Sequence, residues 1–199
     1  MMKAALALAL GAALSSSLPA QAESTTVNGG GALSTNARLD FSIVIPRFLS
    51  FRVGTAGVTI DQITFSPTAA NVGNSTPVAG AGGNAAGGSG ATVSVLGNGG
   101  QITISEGNNS GGTGLKHATL ADTINYSEIT TTSSDAANLD APTLSNAGGN
   151  TSTPVLNAGN VTNRSATWTY AYANTTIPSA GTYGTQANGG RVTYTASMP

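Results

Sequence analysis

The chain has 199 residues, of which only 8% are charged, with seven basic and eight acidic side chains and no cysteine. Ordinary soluble proteins carry about 25% charged residues. So sparse and balanced a charge offers neither a basic stripe for nucleic acid nor a polybasic patch for a membrane surface. The absence of cysteine excludes disulfides and thiolate chemistry, so the hydrophobic core must hold the fold together.

The first 22 residues have the pattern of a secretory signal. Lys3 gives a short positive start, residues 4–14 form an apolar run, and Ala20-Gln21-Ala22 is a small-x-small cleavage pattern. The run is shorter than the roughly 20 apolar residues that a membrane-spanning helix needs. We therefore predict a bacterial protein that is exported, cleaved near Ala22, and found at the cell surface, in the medium or in the periplasm.

Residues 23–36 contain three consecutive glycines and few apolar side chains. This composition predicts a flexible N-terminal arm, followed by a single domain over residues 37–199. Val27, Ala32 and Leu33 are the candidates within the arm for donating a strand to a neighbouring sheet.

Alternation of apolar and polar residues at a period of two predicts the strands of the domain. A glycine-rich stretch at 69–90 predicts a long loop, and no window has a sustained helical period. The predicted strands, in chain order, are 39–45, 48–53, a bulged strand over 58–65, a hairpin of 92–96 with 101–105 around Gly97-Asn98-Gly99-Gly100, 124–130, and a C-terminal antiparallel pair of 166–172 with 189–199.

Short strands, polar links and no helix favour an all-β fold, an antiparallel β-sandwich of the Greek-key or immunoglobulin-like type. A closed β-barrel is the alternative. The alternation also predicts the core, which comprises Leu39, Phe41, Ile43, Ile45, Phe51, Val53, Ile60, Phe65, Val93, Val95, Ile102, Ile104, Trp168, Tyr170, Val192 and Tyr194.

Residues for catalysis are scarce. His117 is the only histidine, so a His-rich metal site is impossible and a Ser-His-Asp triad would have to use this residue. We interpret it as a histidine in a surface loop. Asp122 and Glu128 could be the two catalytic carboxyls of a glycosidase only if the distance between them suited that reaction, and sequence spacing does not establish this distance. We expect no enzymatic activity and no catalytic or cofactor-binding residue.

One group of oxygen-bearing side chains bears on metal binding. Asp135, Asn138 and Asp140 lie close enough in sequence to offer oxygens to Ca²⁺, but the glycine and bidentate glutamate of a calcium loop are missing. We predict no metal site, and the sequence leaves Ca²⁺ near Asp135 and Asp140 undecided.

The aromatic side chains near the C-terminus have two interpretations. Trp168, Tyr170 and Tyr172 alternate, so they share one face of a strand. Core packing is the expectation for Trp168 and Tyr170. Tyr172 and Tyr183 lie nearer loops and are predicted to be exposed, where they could stack on a sugar ring.

The C-terminal segment resembles the closing part of bacterial surface β-sandwich proteins. Trp168-Thr169-Tyr170 is followed by Pro178-Ser179-Ala180-Gly181-Thr182-Tyr183, and Arg191-Val192-Thr193-Tyr194-Thr195-Ala196 completes the pattern. WxL-domain proteins and spore-coat-U-type secreted pilins have a similar turn before a final alternating strand. The resemblance covers roughly the last 35 residues, and it implies peptidoglycan attachment or assembly into pili through a chaperone and usher.

Two functions of different classes follow. The first is a non-enzymatic structural subunit that associates with itself or with related chains into a surface fibre, pilus or matrix, with a role in cell adhesion. The second is a module that binds cell-wall or other polysaccharide. A row of coplanar exposed aromatics would favour binding, whereas a bare edge strand or a missing strand would favour assembly by strand addition.

Overall fold

A computed structural model describes residues 23–199. The predicted signal at residues 1–22 lies outside the described residues. The chain divides into two units, of which the first ends at Ile45 and the second spans Pro46–Pro199. Every described strand belongs to the second unit, and no helix among residues 23–199 is long and apolar enough to cross a membrane.

Twelve strands and two single-turn 3₁₀ helices make up the second unit. The helices are Tyr126–Glu128 and Gln186–Asn188. The strands are β1 (Leu49–Val53), β2 (Ile63–Thr64), β3 (Val78–Ala79), β4 (Ala81–Gly82), β5 (Gly90–Gly97), β6 (Thr103–Asn108), β7 (Leu115–Lys116), β8 (Thr123–Ile124), β9 (Ile129–Ser133), β10 (Thr151–Ser152), β11 (Thr162–Tyr172) and β12 (Val192–Ser197).

Two antiparallel sheets dominate. The large sheet runs β1-β5-β11, and β11 also pairs with β3 and β9; the small sheet runs β10-β6-β12. The remaining strands form the two-stranded pairs β2-β4 and β7-β8. No sheet within residues 23–199 closes into a barrel, and the prediction of an all-β antiparallel β-sandwich is confirmed.

The core lies between the large and small sheets, because each presents one apolar face. Trp168 of β11 is 0% exposed, its ring centroid lies 5.1 Å from that of Tyr194 on β12, and its indole Nε1 donates to Leu139 O at 3.3 Å. The buried core cluster is Val93, Val95, Ile102, Ile104, Leu139, Ala141 and Trp168.

The predicted hairpin around Gly97-Asn98-Gly99-Gly100 is wrong. β5 and β6 are strands, as predicted, but they belong to opposite sheets and do not pair. The glycine-rich connection crosses the sandwich instead of reversing within one sheet. Each strand has apolar residues on one face, Val93 and Val95 on β5, and Ile104 on β6 with Ile102 just before it. These residues are buried because the two strands face each other across the core, not because they lie side by side in one sheet.

The predicted C-terminal pair is wrong for the same reason. β11 lies in the large sheet between β5 and β9, whereas β12 pairs with β6 in the small sheet. The aromatic residues of the two strands meet across the core, where the Tyr170 and Tyr194 hydroxyls are 3.2 Å apart. Alternation identified the apolar faces correctly but could not tell facing strands from paired ones.

The predicted first strand, at 39–45, is also wrong. These residues have no strand partner in the described chain, and Leu39, Phe41, Ile43 and Ile45 are all exposed rather than in the core. Ile60 is exposed as well, and the predicted bulged strand shrinks to β2. All residues from 23 to 45 are exposed, and none of them lies in a strand.

The rest of the predicted core is buried to two different depths. Val93, Val95, Ile102, Ile104 and Trp168 are fully buried, as expected. The half-buried members are Phe51, Val53, Phe65, Tyr170, Val192 and Tyr194. The predicted loop at 69–90 contains the short strands β3 and β4.

The packing across the sandwich gives a stability prediction. Trp168→Ala removes the largest fully buried side chain and should lower the free energy of unfolding by about 3–5 kcal/mol. Thr167→Ala, one position away on the opposite face of β11, should change it by less than about 0.5 kcal/mol. Urea denaturation followed by circular dichroism measures both, and equal losses for the two variants would contradict the assignment of the core face.

Candidate functional site

The first unit holds an unusual apolar segment. Residues 39–45, called segment 39–45 below, read Leu39-Asp40-Phe41-Ser42-Ile43-Val44-Ile45. The exposed fractions are 65% for Leu39, 86% for Phe41, 85% for Ile43 and 73% for Ile45. Contiguous exposed apolar side chains of this kind typically mark an interaction site. In an extended chain these four side chains project to the same side.

The residues before this segment are polar and held by local contacts. Arg38 Nε donates to Glu23 Oε2 at 2.7 Å, and its Nη2 donates to Oε1 at 2.9 Å. Thr25 Oγ1 donates to Asn36 O at 2.8 Å. Val27, Ala32 and Leu33, the predicted donor residues, are exposed, but they do not alternate as the residues of segment 39–45 do. The sequence prediction placed the apolar residues 39–45 in the core of the domain, apart from the predicted arm at 23–36.

The second unit has an incompletely covered side, called the open flank below. It is formed by β1 at the edge of the large sheet and β12 at the edge of the small sheet, which approach each other. β1 pairs only with β5, and β12 only with β6, within the described chain. Half-buried apolar side chains line the open flank, namely Leu49, Phe51 and Val53 from β1 and Tyr194, Ala196 and Met198 from β12 and the residue after it.

The chain just before β1 is held extended by Asn98. Phe48 N donates to Asn98 Oδ1 at 2.9 Å, and Asn98 Nδ2 donates to Pro46 O at 2.9 Å. Asn98 N also donates to Phe48 O at 3.4 Å, one step beyond the Leu49–Gly97 pair. The β1–β5 ladder therefore continues through the amide side chain to Pro46. Sequence analysis assigned Asn98 to a turn and gave no sign of this second role.

His117 is buried, with 7% of its surface exposed, so the expectation of a surface-loop histidine is wrong. Its Nδ1 accepts from Thr119 N at 3.0 Å and Leu120 N at 2.9 Å. The proton therefore sits on Nε2, which donates to Ala180 O at 3.1 Å. With both ring nitrogens bonded to backbone, the imidazole ties together two loops.

Glu106 is buried inside the small sheet, at 2% exposure. Its Oε1 lies 3.4 Å from Asn150 Nδ2, and its Oε2 has no hydrogen-bond partner. Burial raises the pKa of this carboxyl above its ordinary value. Burial, followed by the Glu106 charge, also raises the pKa of Tyr126 to about 12, and the Tyr126 hydroxyl donates to Gly189 O at 2.5 Å.

Glu106 was missed by sequence reasoning, although a signal existed. It continues the buried alternation of Ile102, just before β6, and Ile104 within β6, which places a carboxyl on the apolar face. The two-residue period of a strand places this carboxyl on the buried face, and that placement can be read from the sequence.

Three other acids, Glu128, Asp135 and Asp140, accept hydrogen bonds from nearby groups. Glu128 accepts from Thr175 Oγ1 at 2.5 Å and Thr175 N at 3.2 Å. Asp135 accepts from Asn138 Nδ2 at 2.9 Å, and Asp140 Oδ1 accepts from Ala141 N at 2.9 Å. Among residues 23–199 no three His, Asp or Glu side chains form a group that could hold a metal ion.

Tyr172, predicted to be exposed, is buried at 6% exposure, so that prediction is wrong. Its position continues the inward alternation of Trp168 and Tyr170. Tyr183 is half-buried, its ring lies edge-on to His117 with centroids 4.9 Å apart, and its hydroxyl donates to Ser179 O at 3.0 Å. The two tyrosines therefore form no shared stacking surface.

Comparison of the chain with known protein families, with curated proteins and with solved structures finds no match. Segment 39–45 and the open flank are therefore the features of this structure that bear on function.

The burial of Glu106 gives a pH prediction. Because its pKa is raised in the folded state, the folded protein holds the proton more tightly, and stability falls as pH rises above the ordinary value of 4.5. Glu106→Gln should remove this loss and stabilise the protein at neutral pH. Melting temperatures at about pH 4 and about pH 8 measure the difference. The control Asp140→Asn, at an exposed acid, should keep the wild-type dependence; an unchanged pH dependence in Glu106→Gln would contradict the assignment.

Proposed function

We propose that this protein is a non-enzymatic structural subunit of a bacterial surface fibre, pilus or matrix, which is exported and assembles by strand addition. The observation that carries the proposal is segment 39–45, a seven-residue alternating apolar run whose residues are all exposed. In strand addition, main-chain hydrogen bonds give affinity and alternate side chains fill pockets. Segment 39–45 has the length and pattern of such a strand.

Burial of the apolar side chains of segment 39–45 would contribute a large free energy of association for so short a segment. Burying a Leu, Ile or Phe side chain fully contributes about 1.5–3 kcal/mol. Segment 39–45 has four such side chains on one side, Leu39, Phe41, Ile43 and Ile45. Ordering the segment costs about 1–2 kcal/mol of backbone entropy per residue, so apolar burial has to combine with new backbone hydrogen bonds to give stable association.

The surface composition supports assembly as well. With 8% charged residues and a formal net charge of −1, the chain has little charge repulsion between copies. The outward positions of β12 are Thr193, Thr195 and Ser197, which are exposed and uncharged. Copies of such a chain can approach closely without burying unpaired charge.

A polysaccharide-binding module is the alternative, and the structure offers it less support. Tyr172 is buried, Tyr183 packs on His117, and Trp168 lies in the core. A shallow depression of about 270 Å³ on the outer face of the large sheet is lined mainly by hydroxyl groups and Arg52, with no aromatic residue. A sugar bound there would have no aromatic side chain on which its ring could stack.

Two deletions of equal length test the proposal. The full chain, secreted from a bacterial host, should form filaments or large oligomers, seen by light scattering after size exclusion and by negative-stain microscopy. Deleting residues 39–45 should abolish these particles, because it removes the apolar strand.

Deleting residues 27–33 is the matched control, since it removes seven residues including Val27, Ala32 and Leu33 but leaves the apolar strand. Particles should persist in this variant. A wild-type chain that stays monomeric, or particles that survive both deletions, would contradict assembly by strand addition.

A further inference from the structure

We propose that the acceptor for segment 39–45 is the open flank of a second copy of this chain, where the segment adds to β12 and covers the side chains between β1 and β12. This inference rests on the proposed function and names its partner and site. The occupant is a second copy because the chain itself carries the complementary apolar strand.

The open flank lacks cover that the inner strands have. Val95 on β5 and Ile104 on β6 are 1% and 0% exposed. Phe51 on β1 and Tyr194 on β12 face the same core but are only half-buried. An added strand beside β12 would lie over these side chains and close the flank.

The dimensions of the two partners match. Segment 39–45 extended spans about 23 Å, and the six-residue β12 spans about 20 Å. The segment can place Leu39, Phe41, Ile43 and Ile45 inward while Asp40, Ser42 and Val44 face outward. β12 alternates in the same way, with Tyr194 and Ala196 inward and Thr193 and Thr195 outward. The central outward residues of the two strands are Ser42 and Thr195.

The backbone before β1 argues for a second copy rather than the same chain. Folding segment 39–45 back along its own open flank, between β1 and β12, requires the chain to reverse direction at residues 46–48. Those residues are held extended by Asn98, through the Phe48 N to Oδ1 and Nδ2 to Pro46 O hydrogen bonds, both 2.9 Å. A turn there would break both.

Donation from one copy to the next is a heterologous contact, because the donor and acceptor surfaces differ. Heterologous contacts generate rings where the rotation closes and open filaments where it does not. Each copy in such an assembly offers one strand and one flank, so a filament grows at both ends.

The absence of cysteine from the chain makes cross-linking a clean test. The full chain carrying both Ser42→Cys and Thr195→Cys should form a ladder of disulfide-linked dimers, trimers and larger species on oxidation, seen without reducing agent. Both positions are exposed, so the fold should be retained, as circular dichroism would show. The matched control carries Ser42→Cys with Thr132→Cys on β9, the opposite edge of the large sheet, and should give no ladder.

Mixing two single-cysteine chains, one with Ser42→Cys and one with Thr195→Cys, should give a mixed dimer and no longer ladder. A disulfide within one chain, seen as a faster-moving monomer of the double variant, would overturn the second copy as occupant. A ladder from the Thr132→Cys control alone would overturn the open flank as acceptor while leaving assembly by strand addition standing. A wild-type chain that never assembles would overturn the proposed function itself.

Ile43→Asp provides a second measurement that does not depend on disulfides. A carboxylate on the inward side of the added strand should raise the concentration needed for assembly by at least about 100-fold. Ser42→Asp, one residue away on the outward side, should leave that concentration within about threefold. Equal effects of the two changes would overturn the assigned orientation of the segment.

Discussion

The mutual covering of two apolar sheet faces is the constraint on which the rest of this structure depends. The chain has no cysteine, so burial between the sheets must hold the fold. Trp168 and Tyr194 meet at the centre of that contact, with ring centroids 5.1 Å apart. The strands of both sheets turn their apolar faces toward this contact, whichever neighbour each of them pairs with.

The same constraint explains why one side of the sandwich is unfinished. β5 and β6 lie inside their sheets and bury Val93, Val95 and Ile104, whereas β1 and β12 are edge strands whose inward residues are half-buried. Edge strands with free backbone groups invite pairing, and proteins usually protect them with charge, proline or a covering loop. The outward residues of β12 are uncharged, which leaves that edge available.

Sequence reasoning predicted the positions of the strands much better than it predicted which strands pair with each other. The alternation at β1, β5, β6, β11 and β12 named the right segments and the right inward residues. It assigned the wrong pairing to β5 with β6 and to β11 with β12, because a two-residue period reports which face is apolar and not what covers it. Leu139 is fully buried although it lies in a loop without alternation, so no local pattern pointed to it.

Segment 39–45 is where local pattern and observed structure disagree most. Its alternation is as regular as that of β5, and the sequence predicts a core strand, yet Phe41 is 86% exposed. A strand that pairs only with another copy has a core-like sequence and is nevertheless exposed in a single chain.

Hydrogen exchange of the full chain, compared between its monomeric and assembled forms, tests assembly through segment 39–45. Amides of residues 39–45 should exchange rapidly in the monomer and become protected on assembly, together with amides of β12 that do not bond to β6. Unprotected amides at 39–45 in intact assemblies would contradict it.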